Sequence, residues 1–189
     1  MSRLHSFFMC AVALLACGVA RGAAVNVEGQ NFEPSAQAGE TAFLLNNAAL
    51  LKVKVFFKVY AAGLYLADTK DVARVLDDVP KRLEIAYLRD IPKKIIVDAA
   101  EDYLKANLKP AELSAIRARV DEINKLYSDV KEGDRYVLTY RPGIGCELAL
   151  NGKSLGIISG ADFSSAYFGI WLGSGCAAPS LRDALLKAP

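Results

Sequence analysis

Residues 53–66, VKVFFKVYAAGLYL, hold the side chains best suited to gripping a small molecule. Read as one extended strand, the run alternates between two faces. Val53, Val55, Phe57 and Val59 share one face; Lys54, Phe56, Lys58 and Tyr60 share the other. Lys52 has the parity of the two lysines. The result is a cationic stripe ending in a phenol, which suits an anionic head group lying in a cleft. Solvated strand lysines have the same spacing, so the stripe by itself does not require a cleft. Tyr60 and Tyr65 equally fit core positions with a hydroxyl at the edge. Gly63 lets the strand bend or bulge.

Other chemistry is sparse, and the N-terminus explains part of the scarcity. Residues 1–22 carry Arg3 and His5 without an acid, then the apolar run FFMCAVALLA at 7–16, then small residues around Arg21. This is the layout of a secretory signal peptide. The run falls short of the ~20 apolar residues of a spanning helix, and no later segment is long and apolar enough to span a membrane. Cleavage near Gly22 predicts an exported, periplasmic protein made of one domain, 23–189. The alternative is a lipoprotein signal, Leu14-Leu15-Ala16-Cys17, with the chain anchored through a lipidated Cys17.

Cleavage removes His5, the only histidine, along with Arg3 and Arg21. The mature chain then excludes Ser-His-Asp and Cys-His catalysis, histidine metal sites and histidine pH switching. Two cysteines remain, Cys146 and Cys176; in an exported chain they form a disulfide candidate, with two separate buried thiols as the alternative. No metal site is completed by two thiols alone. There is no GxGxxG, P-loop or paired CxxC, so no cofactor is called for. The whole chain of 189 residues has a net charge of +2, 53% hydrophobic and 23% charged residues. That excludes a disordered chain and offers no basic excess for nucleic acid.

The elements that position these residues come in segregated runs. Short extended pieces fill 26–42, and Asn46-Asn47 marks a turn or bulge. Residues 82–88 (RLEIAYL) read as a strand. Asp90 caps a helix with Pro92 in its first turn, and Pro110 starts a second helix. Strands at 135–140, 146–150 and 154–158 follow, the last two joined by the hairpin signal Asn151-Gly152. Two more helices occupy 162–172 and 180–186. Strands, two helices, strands, helices mean α+β with an antiparallel sheet.

FFKVYAAGLYL, followed by PKRLEIAYLRDI at 80–91, ADFSSAYFGIWLG at 161–173 and PSLRDALL at 179–186, resembles the bacterial chalcone isomerase-like family. The resemblance runs in order over nearly all of 23–189. It implies a large curved antiparallel sheet covered on one face by a layer of helices, with the ligand cleft between them. Carried over residue by residue, the plant-type strand arginine falls on Lys52 and the strand threonine on Tyr60, where fatty-acid-binding relatives also have tyrosine. The helix tyrosine and asparagine fall near Lys94 and Glu101, so neither is kept. The C-terminal threonine falls on Ser180.

Cyclising a chalcone requires a cation for the phenolate and donors for the developing enolate. Lys52 offers a flexible point charge instead of the planar arginine fork. Any catalytic set would therefore be Lys52, Tyr60 and Ser180. The first expectation is an exported binding protein for a small apolar ligand, a fatty acid or a flavonoid-like molecule, with a carboxylate gripped by Tyr60 and by Lys52 or Lys54. Alternatives are an intramolecular lyase of chalcone isomerase type and a structural or partner-binding protein of the envelope, its partner unspecified.

Overall fold

The computed structural model describes residues 22–54 and 57–187. The expected leader, with His5 and Cys17, lies outside the described residues apart from Gly22. Fourteen elements follow one another. The strands are β1 (Val25–Val27), β2 (Gln30–Phe32), β3 (Ser35–Ala38), β4 (Thr41–Val53), β5 (Phe57–Leu66), β6 (Lys81–Tyr87), β7 (Arg135–Arg141), β8 (Gly145–Leu150) and β9 (Lys153–Ile158). The helices are α1 (Lys93–Asn107), α2 (Pro110–Leu126), α3 (Ala161–Leu172) and α4 (Pro179–Leu186), with a 3-10 segment at Thr69–Arg74. Strands β3 to β9 form one antiparallel sheet in chain order, and β1–β2 is a separate hairpin. The α+β class with helices over one sheet face matches the sequence expectation. No helix among the described residues is long and apolar enough to cross a membrane.

Alternation along the strands sorts the side chains into two cores. Ala62, Leu64, Leu83, Ile85, Leu138 and Leu148 pack under the helices. Ala61, Tyr65 and Ala86 pack on the other face with Phe32 of the β1–β2 hairpin. Gly63 is required there: a Cβ would stand 2.5 Å from Phe32 Cδ1. The same outer face holds Glu84, which accepts from Arg82 at 2.8 Å and Arg135 at 2.6 Å. Asn151 and Gly152 both take left-handed backbone, at φ 51° and 79°, the turn that their sequence predicts between β8 and β9.

One expectation fails at the hairpin that matters most. Residues 53–66 are not one strand: the chain turns between β4 and β5, and Lys54 takes φ 50°. In the register, Leu51 faces Tyr60, Lys52 faces Lys58 and Val53 faces Phe57. The step between the first two pairs is a bulge with Val59 as the extra residue, and a bulge resets the alternation of faces. The stripe of lysines therefore does not continue onto Tyr60.

Asn46-Asn47 is a bulge, as expected, between the pairs of Leu45 and Asn47. It anchors α4. The Asn46 amide donates to Leu185 O at 2.7 Å and Lys187 O at 3.1 Å, and the Asn47 amide donates to Lys187 O at 2.6 Å. Two otherwise unpaired carbonyls at the helix end are thereby satisfied. Replacing the buried Asn46 with Ala should cost about 1–3 kcal/mol, read as a lowered midpoint in urea unfolding. An unchanged midpoint would show that α4 does not depend on this contact.

Asp90 does not cap α1. Pro92 stands at the N-cap position, Lys93 N–H donates to Asp129 at 2.7 Å, and Asp90 accepts from Glu132 N–H and the Lys131 ammonium.

Candidate functional site

A cavity of about 290 Å³ lies between β4, β5 and β6 on one side and α1, α3 and α4 on the other. The strands contribute Leu51, Val59 and Ile85; α1 contributes Ile96 and Ala100; α4 contributes Leu181. Polar atoms come from tyrosines and one indole: Tyr60, Tyr87, Tyr103, Tyr127, Tyr167 and Trp171. Every other lining residue is aliphatic, so the described wall carries no charge. A wider groove of about 420 Å³ runs between α1, α2 and α3, and Tyr103 forms a wall common to both. The groove is lined by Glu112 and Asp162 and lies away from Tyr60.

Three tyrosines of the wall are fixed by aromatic packing. Tyr60 meets Tyr87 edge to face, with centroids 5.9 Å apart. Tyr87 meets Tyr136 in the same way, and Tyr136 meets Tyr127 at 5.0 Å. Edge-to-face pairs place positive ring edges on negative faces, which orients the hydroxyls. Tyr167 O–H donates to the Tyr127 oxygen at 3.1 Å. Trp171 Nε1–H donates to the Tyr60 oxygen at 3.1 Å, which leaves the Tyr60 proton free to donate. The Tyr87 hydroxyl makes no protein hydrogen bond among the described residues. Burial pushes the phenols of Tyr60, Tyr87, Tyr127 and Tyr167 up from the usual tyrosine range. They are neutral donors at ordinary pH and poor bases.

Of the residues put forward to hold a ligand, Lys52, Lys54, Tyr60 and Ser180, only Tyr60 lines the cavity. Lys52 is exposed across from Lys58, whose ammonium is 2.6 Å from Glu28 of the β1–β2 turn. Its neighbours Leu51 and Val53 line the cavity, so alternation turns Lys52 to the opposite face. Lys54 is the exposed turn residue. The expectation that either lysine meets a ligand beside Tyr60 is corrected by this register. Ser180 is exposed in the first turn of α4, while Ala178 and Leu181 beside it line the cavity. Lys94 pairs with Asp98 at 2.6 Å on the surface. Glu101 is held by Arg117 at 2.6 Å and Asn124 at 3.1 Å, and this holds its carboxyl below the usual range.

The disulfide is also corrected: Cys146 and Cys176 are both buried free thiols. They belong to opposite ends of α3. Cys146, on β8, neighbours Ser164 in the first turn of that helix and Lys81. Cys176 lies beyond Leu172, near Tyr60 and Tyr103. The eight residues from Ser164 to Leu172 alone span about 12 Å of helix, and a disulfide tolerates about 7 Å between Cα atoms. Burial pushes the Cys146 thiol up to about 12, so it is not a reactive thiolate.

Nothing in the sequence singles out Tyr87, Tyr127, Tyr167 or Trp171 as site residues. Tyr87 lies on β6, Tyr127 at the end of α2, and Tyr167 and Trp171 on α3, and only the folded register brings these elements together.

A family model described as chalcone isomerase-like matches residues 24–187. Among solved structures, the crystal structure of an Arabidopsis thaliana fatty-acid binding protein is similar to this one, with a TM-score of 0.68 and 15% sequence identity. The alignment covers 87% of this chain and 96% of that one. No curated protein matches the sequence.

Proposed function

The chain belongs to the chalcone isomerase-like family, and from that premise we propose that it is a binding protein for an apolar small molecule of the acyl-chain class, held through a neutral polar end. The observation that carries this reading is the uncharged wall of the cavity beside two available phenol donors, Tyr60 and Tyr87. An ionised carboxylate left unpaired in such a site costs several kcal/mol. An ester carbonyl or a protonated carboxyl needs only one or two O–H donors. The same desolvation raises a bound acid's own pKa, so a fatty acid enters in its neutral form. The likeness to a fatty-acid binding protein supports the ligand class by analogy of fold only.

The intramolecular lyase reading asks for a cation beside the nucleophile. Lys52 faces away from Tyr60, and the raised phenols are poor proton acceptors. Binding without turnover therefore fits the described wall better. The reading includes export. A protein isolated from the cell envelope should begin near residue 23, whereas an intact Met1 in the cytoplasmic fraction would count against export. A blocked terminus at Cys17 would make the protein lipid-anchored.

The test uses a delipidated chain beginning at residue 23, which keeps every element from β1 to α4. Titrated at pH 8, methyl palmitate should bind at least as tightly as palmitate. Palmitate affinity should rise as the pH falls. Tyr60→Phe should weaken the ester by about 0.5–1.5 kcal/mol, and Lys52→Ala should change neither ligand. A preference for the anion that is lost with Lys52→Ala would overturn the neutral-end reading. If neither ligand binds, the structural or partner-binding reading replaces it.

A further inference from the structure

The three most exposed large apolar side chains among the described residues are Ile95 at 56%, Phe57 at 52% and Val53 at 51%. They come from two separate parts of the chain and meet at one end of the fold. Val53 and Phe57 are cross-strand partners at the turn of the β4–β5 hairpin. Val53 and Ile95 both line the cavity, so the patch is the rim of its mouth. A folded chain gains nothing by leaving its largest exposed apolar groups together in water.

The collar of this patch is basic. Lys52 and Lys54 flank Val53, and Lys93 and Lys94 precede Ile95. The Arg89 guanidinium lies 5.4 Å from the centre of the Phe57 ring. Lys94 pairs with Asp98, but Lys52, Lys54, Arg89 and Lys93 make no ion pair with a carboxylate among the described residues. The nearby acids are already engaged: Glu28 with Lys58, Asp90 with Lys131, and Asp129 with the Lys93 N–H.

We propose that this end of the molecule docks on the surface of an anionic phospholipid bilayer. Val53, Phe57 and Ile95 enter the headgroup boundary and the basic collar meets the lipid phosphates. Apolar residues inside a basic ring are the complement of such a surface, and each feature reinforces the other. A second copy of the chain would bring two like-charged collars together, which opposes self-association through this face. Docking turns the cavity mouth toward the lipid, so an apolar ligand passes between bilayer and protein without crossing water.

The experiment is co-sedimentation of the chain beginning at residue 23 with vesicles of phosphatidylcholine alone or with about one third phosphatidylglycerol. The protein should partition onto the phosphatidylglycerol vesicles, and raised salt should release it. Val53→Ser/Phe57→Ser/Ile95→Ser should lower the partition coefficient about tenfold, and Lys52→Glu/Lys54→Glu/Arg89→Glu by at least as much. The control Ile144→Ser/Ile157→Ser removes exposed apolar groups elsewhere, at 48% and 47%, and should change nothing. Circular dichroism verifies that each variant is folded.

No partition of the wild type, or equal partition by the apolar triple variant, overturns the proposal. So does an equal loss in the control, or a dimer in solution that Phe57→Ser converts to monomer. The readout needs no ligand, so failure here is separate from failure of the binding reading.

Discussion

On titration with base, the protein should remain folded to about pH 10 and unfold in one step above it. Tyr87, Tyr127 and Tyr167 are buried under the helices. Burial holds their phenols above the ordinary tyrosine value of 10.0. A folded-state pKa raised above the unfolded one contributes stability that is complete below the unfolded pKa. That stability is lost as the pH climbs toward the folded pKa. Each pH unit above 10 therefore removes about 1.4 kcal/mol per tyrosine. Three such tyrosines act in the same direction on a typical total of about 5–15 kcal/mol. Tyrosinate absorbance and loss of circular dichroism should rise together. Independent titration of these phenols near pH 10, with the dichroism intact, would mean that they are solvated.

Lys81 acts with the opposite sign in an earlier window. It is fully buried, and its ammonium donates to Asp77 O at 2.7 Å and Val79 O at 3.3 Å. The Tyr140 ring lies 4.6 Å from it. Burial lowers its pKa from 10.5 to about 8, more than the nearby acidic groups raise it. The unfolded chain then binds more protons between pH 8 and 10.5, so this group makes stability rise with pH across that window. A shift of this size is on the order of 3 kcal/mol. The melting temperature should therefore rise between pH 8 and 10 before the tyrosines reverse it, and Lys81→Met should flatten the rise.

The contrast between the two ends of the sheet shows what a sequence can carry. Asn151-Gly152 announces its hairpin because both residues tolerate left-handed backbone, and the structure places both there. The β4–β5 turn has no such mark. Its flanks read VKVFFKVY, uninterrupted and β-favouring, and among the described residues of the turn the left-handed one is Lys54. A period-two reading passes through such a turn without registering it, and the Val59 bulge then shifts the faces a second time. That is why the period-two reading puts Lys52 and Lys54 on one face with Tyr60, whereas in the structure Tyr60 lines the cavity and the two lysines do not. The order of the helices and the antiparallel class survived, because proline starts, apolar stripes and segregated strand runs are local signals. The tyrosine wall was not local. Tyr87, Tyr127 and Tyr167 are drawn together by β6, the end of α2 and α3, and single positions carry no sign of that convergence.

Filling the cavity should separate binding from folding. Ala100 lies on α1, is 4% exposed and lines the cavity wall. Its Cβ borders a space of about 290 Å³, at the low end for a small-molecule pocket. Ala100→Phe sends a ring into that space and leaves an acyl chain nowhere to lie. Affinity for methyl palmitate should fall by roughly a hundredfold or more, since most of its buried area is lost. Stability should stay level or rise by about 0.5–2 kcal/mol, as cavity-filling changes commonly do. Where the ring instead overpacks α1 against the sheet, the melting temperature falls. Ile170→Trp then fills the same space from α3, where Ile170 is only partly buried. Calorimetry and thermal melts on both variants decide the matter. Two folded variants that keep wild-type affinity would place the ligand outside this cavity; a folded variant that has lost binding would place it within reach of Tyr60.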